Sequence, residues 1–145
     1  VALEKAKISA KNYFQTKKNR VIKFYEEYNH NLKQATKLIE ENKIEEAEAM
    51  VISSVAKAIK IKLINQSAIN QLGYDFLGQE KTKMAIMIFK SNVVAYPESV
   101  DVYDSLGEAY LEDGNTELAI FNYKKALEID PNYATALRAL EEIEK

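Results

Sequence analysis

The chain has 145 residues, 47% of them hydrophobic, a formal net charge of −2 and no cysteine. That much apolar material supplies a continuous core, which excludes a disordered chain, and the missing thiols exclude a disulfide framework or a thiolate metal site. No apolar run approaches the roughly 18 residues that span a bilayer, and the first residues lack the apolar core of a secretory signal, so membrane insertion is not expected.

Four glycines and two prolines leave long stretches without helix breakers, and alanine, leucine, glutamate and lysine fill much of the rest. The expected fold is all-α. Charge is distributed unevenly: residues 1–33 carry eight Lys and Arg against three acids, whereas residues 96–145 carry four against twelve. A basic first third and an acidic last third favour electrostatic choice of partners, or packing of one copy against another. The start at Val1 rather than methionine is expected of a processed protein or a fragment. A full-length chain would be cytoplasmic, whereas a fragment would leave export by a removed leader open.

In chain order, residues 1–29 are expected to hold a packing helix over 3–28, with Phe14, Val21, Phe24, Tyr25 and Tyr28 as its apolar surface. Residues 30–65 read as a helix pair, with Asn42-Lys43-Ile44-Glu45-Glu46-Ala47 as turn and second-helix start and Val51, Val55, Ile59 and Leu63 at helical spacing. Two further pairs follow, at 66–99 and 100–133. Leu72, Gly73, Phe76, Ala85, Phe89 and Pro97 recur 34 residues later as Leu106, Gly107, Tyr110, Ala119, Tyr123 and Pro131. Physically, Gly73 and Gly107 admit a close helix crossing, Ala85 and Ala119 offer the matching small surface, and the rings fill the wedge. Glu112-Asp113-Gly114-Asn115-Thr116 forms the turn of the last pair, with Gly114 free to take positive φ and Thr116 placed to cap the next helix. Pro97 and Pro131 end their helices. Residues 134–145 close the array, with Ala134, Leu137 and Leu140 inward and Glu141, Glu142 and Glu144 outward.

This pattern resembles the tetratricopeptide repeat. Tyr103, Leu106, Gly107, Tyr110, Ala119, Tyr123, Ala126 and Pro131 fall where that family places its large, leucine, small, aromatic and proline positions, and Asn92 departs from it in the earlier unit. Residues 30–65 are then a divergent repeat, in which the interval of 38 from Ala47 to Ala85 lengthens the second helix by about one turn. The resemblance implies a right-handed superhelical array of antiparallel helix pairs, without catalysis or cofactor, whose concave surface binds a protein or peptide. The stretch from Leu72 to Pro131 also resembles the C-terminal tetratricopeptide extension of some bacterial serine hydrolases of the beta-lactamase or esterase type. That likeness implies an accessory or oligomerisation domain of a larger protein as the alternative role.

The expected peptide-binding surface comprises Asn70, Tyr74 and Leu77 with Asp101, Asp104, Glu108 and Glu112. Spacings of three, four and four put the four carboxylates on one helical stripe with no lysine or arginine, which favours a basic or amide-rich peptide, or the basic arm of another copy. A purely solvating acidic face is the alternative.

Catalytic readings are weaker. Ser54-Val55-Ala56-Lys57 has the S-x-x-K spacing of a lysine-activated serine but lacks the S-D-N and K-T-G companions. His30 is the single histidine and has no metal motif around it; its place before Asn31-Leu32 reads as an exposed helix junction. Asn65-Gln66-Ser67 fits a glycosylation acceptor only in a secreted eukaryotic protein. The lysines from Lys5 to Lys23 are interleaved with apolar residues, which fits an amphipathic helix better than a nucleic-acid surface.

Overall fold

The computed structural model describes all of residues 1–145 and contains seven helices and no strand. They are α1 (Ala2–Glu40), α2 (Ile44–Lys60), α3 (Gln66–Gly78), α4 (Thr82–Ala95), α5 (Val100–Glu112), α6 (Thr116–Ile129) and α7 (Ala134–Ile143). The C-terminal part of α1 pairs with α2, α3 with α4, and α5 with α6, and α7 covers α6. None of the helices is long and apolar enough to cross a membrane.

The turns explain where helices stop. After α1, α2, α3 and α5 the chain steps into positive φ at Asn42, Lys62, Glu80 and Gly114. The next two amides then bond back to the last turn, as in Asn42 N–H to Ile39 C=O (3.0 Å) and Lys43 N–H to Leu38 C=O (2.8 Å). Gly114 takes φ +77° as expected. The cap of α6, however, is Asn115 rather than Thr116: its Oδ1 accepts the Leu118 N–H at 3.1 Å, and Thr116 is already the first helical residue.

The 34-residue signature has a direct physical meaning. A Cβ added at Gly73 would lie 2.4 Å from Phe89 Cε1, and one at Gly107 would lie 2.9 Å from Tyr123 Cε1. Each glycine thus receives the ring that stands 16 residues later on the partner helix. α2 has 17 residues against 14 for α4 and α6, the extra turn expected from the longer interval.

Two features depart from the sequence reading. First, α1 runs unbroken through residue 30, because no glycine or proline interrupts residues 2–40. His30 is therefore an exposed mid-helix residue and not a junction. Only Tyr28, Leu32 and Ala35 of α1 are buried, so most of the segment before residue 28 projects beyond the bundle rather than packing on its end. Second, in α7 it is Ala136, Ala139, Leu140 and Ile143 that face α6, whereas Ala134 and Leu137 are exposed. Beyond its partner α1, α2 lies against α4. Covered on several sides, α4 buries eight residues, including Asn92, which is fully enclosed and donates from Nδ2 to the Gln66 carbonyl at 3.2 Å. The bond to Gln66 satisfies the amide nitrogen where a small apolar side chain is usual, while Asn92 Oδ1 is buried without a partner.

Candidate functional site

A concavity of about 620 Å³ opens between α3, α5 and the entry to α7. Asn70 and Tyr74 line it from α3, Asp101, Asp104 and Ser105 from α5, and Tyr133 from the residue that precedes α7. Asn65, Gln66, Ser67 and Tyr96 complete the wall, which contains no lysine or arginine.

Its polar network is anchored on Tyr74. The phenol lies 3.3 Å from Ser105 Oγ and donates to Glu108 Oε2 at 2.7 Å, tying α3 to α5. Across the groove the Tyr133 hydroxyl donates to Asp101 Oδ1 at 2.9 Å. Gln66 Nε2 donates to Ser99 Oγ at 2.7 Å, closing the end near the start of α3. Two acceptors are left over: Asn70 Oδ1 and Asp104 Oδ1 are buried without a hydrogen-bond partner. A buried acceptor without a donor costs about 1–3 kcal/mol.

Burial of Asp104, reinforced by the charges of Glu108 and Asp101, pushes its carboxyl up to about 6. Burial first and the neighbouring carboxylates second also raise the Tyr123 phenol to about 12. Tyr74 is raised mainly by burial and Tyr133 by burial and its bond to Asp101, so the groove tyrosines remain neutral donors.

The sign for stability follows. The folded state binds the Asp104 proton more tightly than the unfolded chain, so ionisation opposes folding. That penalty is absent below about pH 4, grows as pH rises and is full above about pH 6. Asp104→Asn is therefore expected to stabilise the fold at pH 7 and to have little effect near pH 4. Parallel urea titrations at the two pH values check this; a gain independent of pH contradicts it.

Of the seven residues expected at the site, Asn70, Tyr74, Asp101 and Asp104 line the groove and Glu108 joins it through the Tyr74 phenol. Leu77 does not. One turn beyond Gly73 on the same face, it turns inward and packs against the core of Ala85, Ile86 and Phe89. Glu112 is exposed at the last residue of α5, outside the groove. Asn65, Gln66, Ser67, Tyr96, Ser105 and Tyr133 also line the groove and were missed. Residues 66 and 96 lie at helix ends and 133 is 32 residues beyond 101, so a stripe drawn on one helix cannot reveal them, whereas Ser105 stands one turn after Asp101 on α5 and was within its reach.

The serine–lysine pair is structural. Ser54 is buried and its Oγ accepts from Asn31 Nδ2 at 3.0 Å, while Lys57 Nζ meets Glu27 Oε1 at 2.6 Å and sits 4.9 Å from the Phe24 ring centroid. Both groups tie α2 to α1, and the crevice beside them, about 10 Å³, holds no more than a water. Asn65 caps α3 by accepting the Ala68 N–H at 2.9 Å.

The architecture is an all-α helical repeat array of the tetratricopeptide type. Consistent with this, the TPR repeat family matches residues 107–140. Among solved structures, a point mutant of MamA superposes with TM-score 0.65 at 22% identity over 80% of this chain and 82% of that one. The first TPR of Spaghetti (RPAP3) bound to the HSP90 peptide SRMEEVD gives TM-score 0.54 at 20% identity, over 81% of this chain and 90% of that one. No curated protein matches the sequence.

Proposed function

We propose that this chain is a non-catalytic protein-interaction module whose groove between α3, α5 and Tyr133 takes a basic or amide-rich segment of a protein partner. The single observation that carries this is the buried, unpartnered Oδ1 of Asp104, set among Asp101, Glu108 and three tyrosine rings with no cation in the groove wall. A lysine, arginine or amide N–H supplies the donor that Asp104 Oδ1 and Asn70 Oδ1 lack, and the rings of Tyr74, Tyr96 and Tyr133 cover its aliphatic stem. The relative bound to SRMEEVD shows that a similarly folded array accepts a peptide. That peptide ends in acids, and acids here would meet like charge. The alternative role as an accessory domain of a larger protein, such as a bacterial serine hydrolase, rests only on the resemblance of residues 72–131, and the sequence of the full gene product tests it.

Binding of basic and acidic peptide libraries, followed by fluorescence anisotropy at low and moderate salt, tests the groove. Basic peptides are expected to win and to weaken with salt. The Asp104→Lys, Glu108→Lys double substitution is expected to weaken them about tenfold or more, on the order of 1.4 kcal/mol. Because a cation binds ionised Asp104, affinity is also expected to fall as pH drops through about 6. Preference for acidic peptides, or basic-peptide binding unchanged by the double reversal, would overturn the proposal.

A further inference from the structure

The projecting part of α1 carries an apolar stripe that continues an interface already present in the fold. Within the bundle, Tyr28, Leu32, Ala35 and Ile39 of α1 face the first core with Val51 and Val55 of α2. Counting back at helical spacing, the same face bears Val21, Phe14, Ala10 and Leu3. At 39 residues α1 is about 58 Å long, whereas the 17 residues of α2 cover about 25 Å. The stripe therefore runs uncovered: Leu3 is 69% and Phe14 67% exposed.

A second open face lies at the other end, and the internal repeat shows what kind of element fits it. On α4, Met84, Met87 and Ile88 are buried in the first core by α2, with α1 also touching α4. One repeat later those positions are Leu118, Phe121 and Asn122 on α6. α4 does not pack on α6 as α2 packs on α4. Leu118 and Phe121 are consequently 39% and 56% exposed, and Ile129 continues the patch. Asn122 turns its amide back to the Leu118 carbonyl at 2.8 Å and leaves the surface to its apolar neighbours.

The segments that carry the two open faces differ in charge, although α6 itself balances Glu117 and Glu128 with Lys124 and Lys125. Residues 1–25 hold seven Lys and Arg and one Glu, against four basic and twelve acidic residues over 96–145. Lys125, whose ammonium lies 5.9 Å from the Phe121 ring centroid, is engaged by Glu128 at 2.7 Å. Pairing two projecting arms with each other would instead bring like charges together.

We infer that the projecting part of α1 docks, through Phe14 and Val21, on the Leu118–Phe121 face of α6 in a second copy of this chain, giving head-to-tail assembly. The contact joins two different surfaces, so each bound copy still presents a free arm and a free face. Such heterologous contacts grow into chains or close into rings. This does not rest on the groove reading, since the α6 face and the groove share no residue.

The test uses the full chain and analytical ultracentrifugation across a wide concentration range. Wild type is expected to grow beyond a dimer with concentration and to dissociate in part as salt is raised. An arm variant, Phe14→Glu with Val21→Glu, and a face variant, Leu118→Lys with Phe121→Lys, are each expected to be monomeric. All four side chains are exposed, so unchanged circular dichroism melting is the control for folding. Mixing the two variants is expected to restore one contact only, giving a dimer that grows no further. Because the chain lacks cysteine, a Val21→Cys copy is also expected to form a disulfide with a Leu118→Cys copy in preference to another Val21→Cys copy. A wild type that stays monomeric, a face variant that associates like wild type, or a mixture that remains monomeric would each overturn the inference.

Discussion

Phe89→Ala is expected to cost about 3–5 kcal/mol, the range for deleting a fully enclosed aromatic side chain. Phe89 is 0% exposed, shares a core with Ala85, Ile86, Leu106 and Ala109, and meets the Tyr74 ring edge-on at a centroid distance of 5.2 Å. It therefore links α3, α4 and α5, and its loss leaves a cavity that three helices must collapse to fill. The sequence pattern treats Phe76, Phe89, Tyr110 and Tyr123 as equivalent wedge residues. Burial ranks them: Tyr123 is 4% exposed and Phe76 and Tyr110 are only partly buried. Guanidinium unfolding of the four alanine variants is expected to give Phe89 the largest loss and Phe76 and Tyr110 smaller ones. An equal or smaller loss for Phe89 contradicts the central place given to α4.

The second large effect concerns the glycine that Phe89 covers. Gly73→Leu is expected to be more damaging than Gly107→Leu, and both more damaging than Gly114→Leu. At Gly73 even a Cβ would fall 2.4 to 2.8 Å from three Phe89 ring atoms, and the enclosed ring has nowhere to swing. At Gly107 the nearest approach is 2.9 Å, to the Tyr123 ring. Gly114 faces open space, so its penalty is limited to the positive φ, about 1–2 kcal/mol. Overpacking ordinarily costs about 1–3 kcal/mol, and Gly73 stands at or above the upper end because Cβ itself collides. Chemical denaturation of the three variants orders them. In addition, Phe89→Leu is expected to relieve part of the Gly73→Ala penalty in a double-mutant cycle, since both act on one contact. Additive losses in that cycle would show that the clash is relieved elsewhere.

Helix content, the turns at Asn42 and Gly114 and the 34-residue repeat were legible in the amino-acid sequence because each depends on neighbours along the chain, whereas the break expected near residue 30 is absent. Helix-forming residues propagate, Gly114 takes a conformation that other residues enter at a cost, and Gly73 and Gly107 recur with their partner rings at a constant offset. Periodicity also marks which face of a helix is apolar, and it placed the Asp101, Asp104 and Glu108 carboxylates on one stripe. Which apolar face meets which neighbour was not legible. α2 settles on α4, Leu77 turns inward beside Gly73, and Tyr133 reaches back to Asp101 across 32 residues. Each is decided by side chains meeting across helices that are distant in sequence, where packing density and not local propensity selects the arrangement. The same holds for α1: apolar residues from Phe14 to Tyr28 were visible, but not their continuity with the helix beyond residue 30, and only the length of α2 in three dimensions decided how much of that stripe is covered.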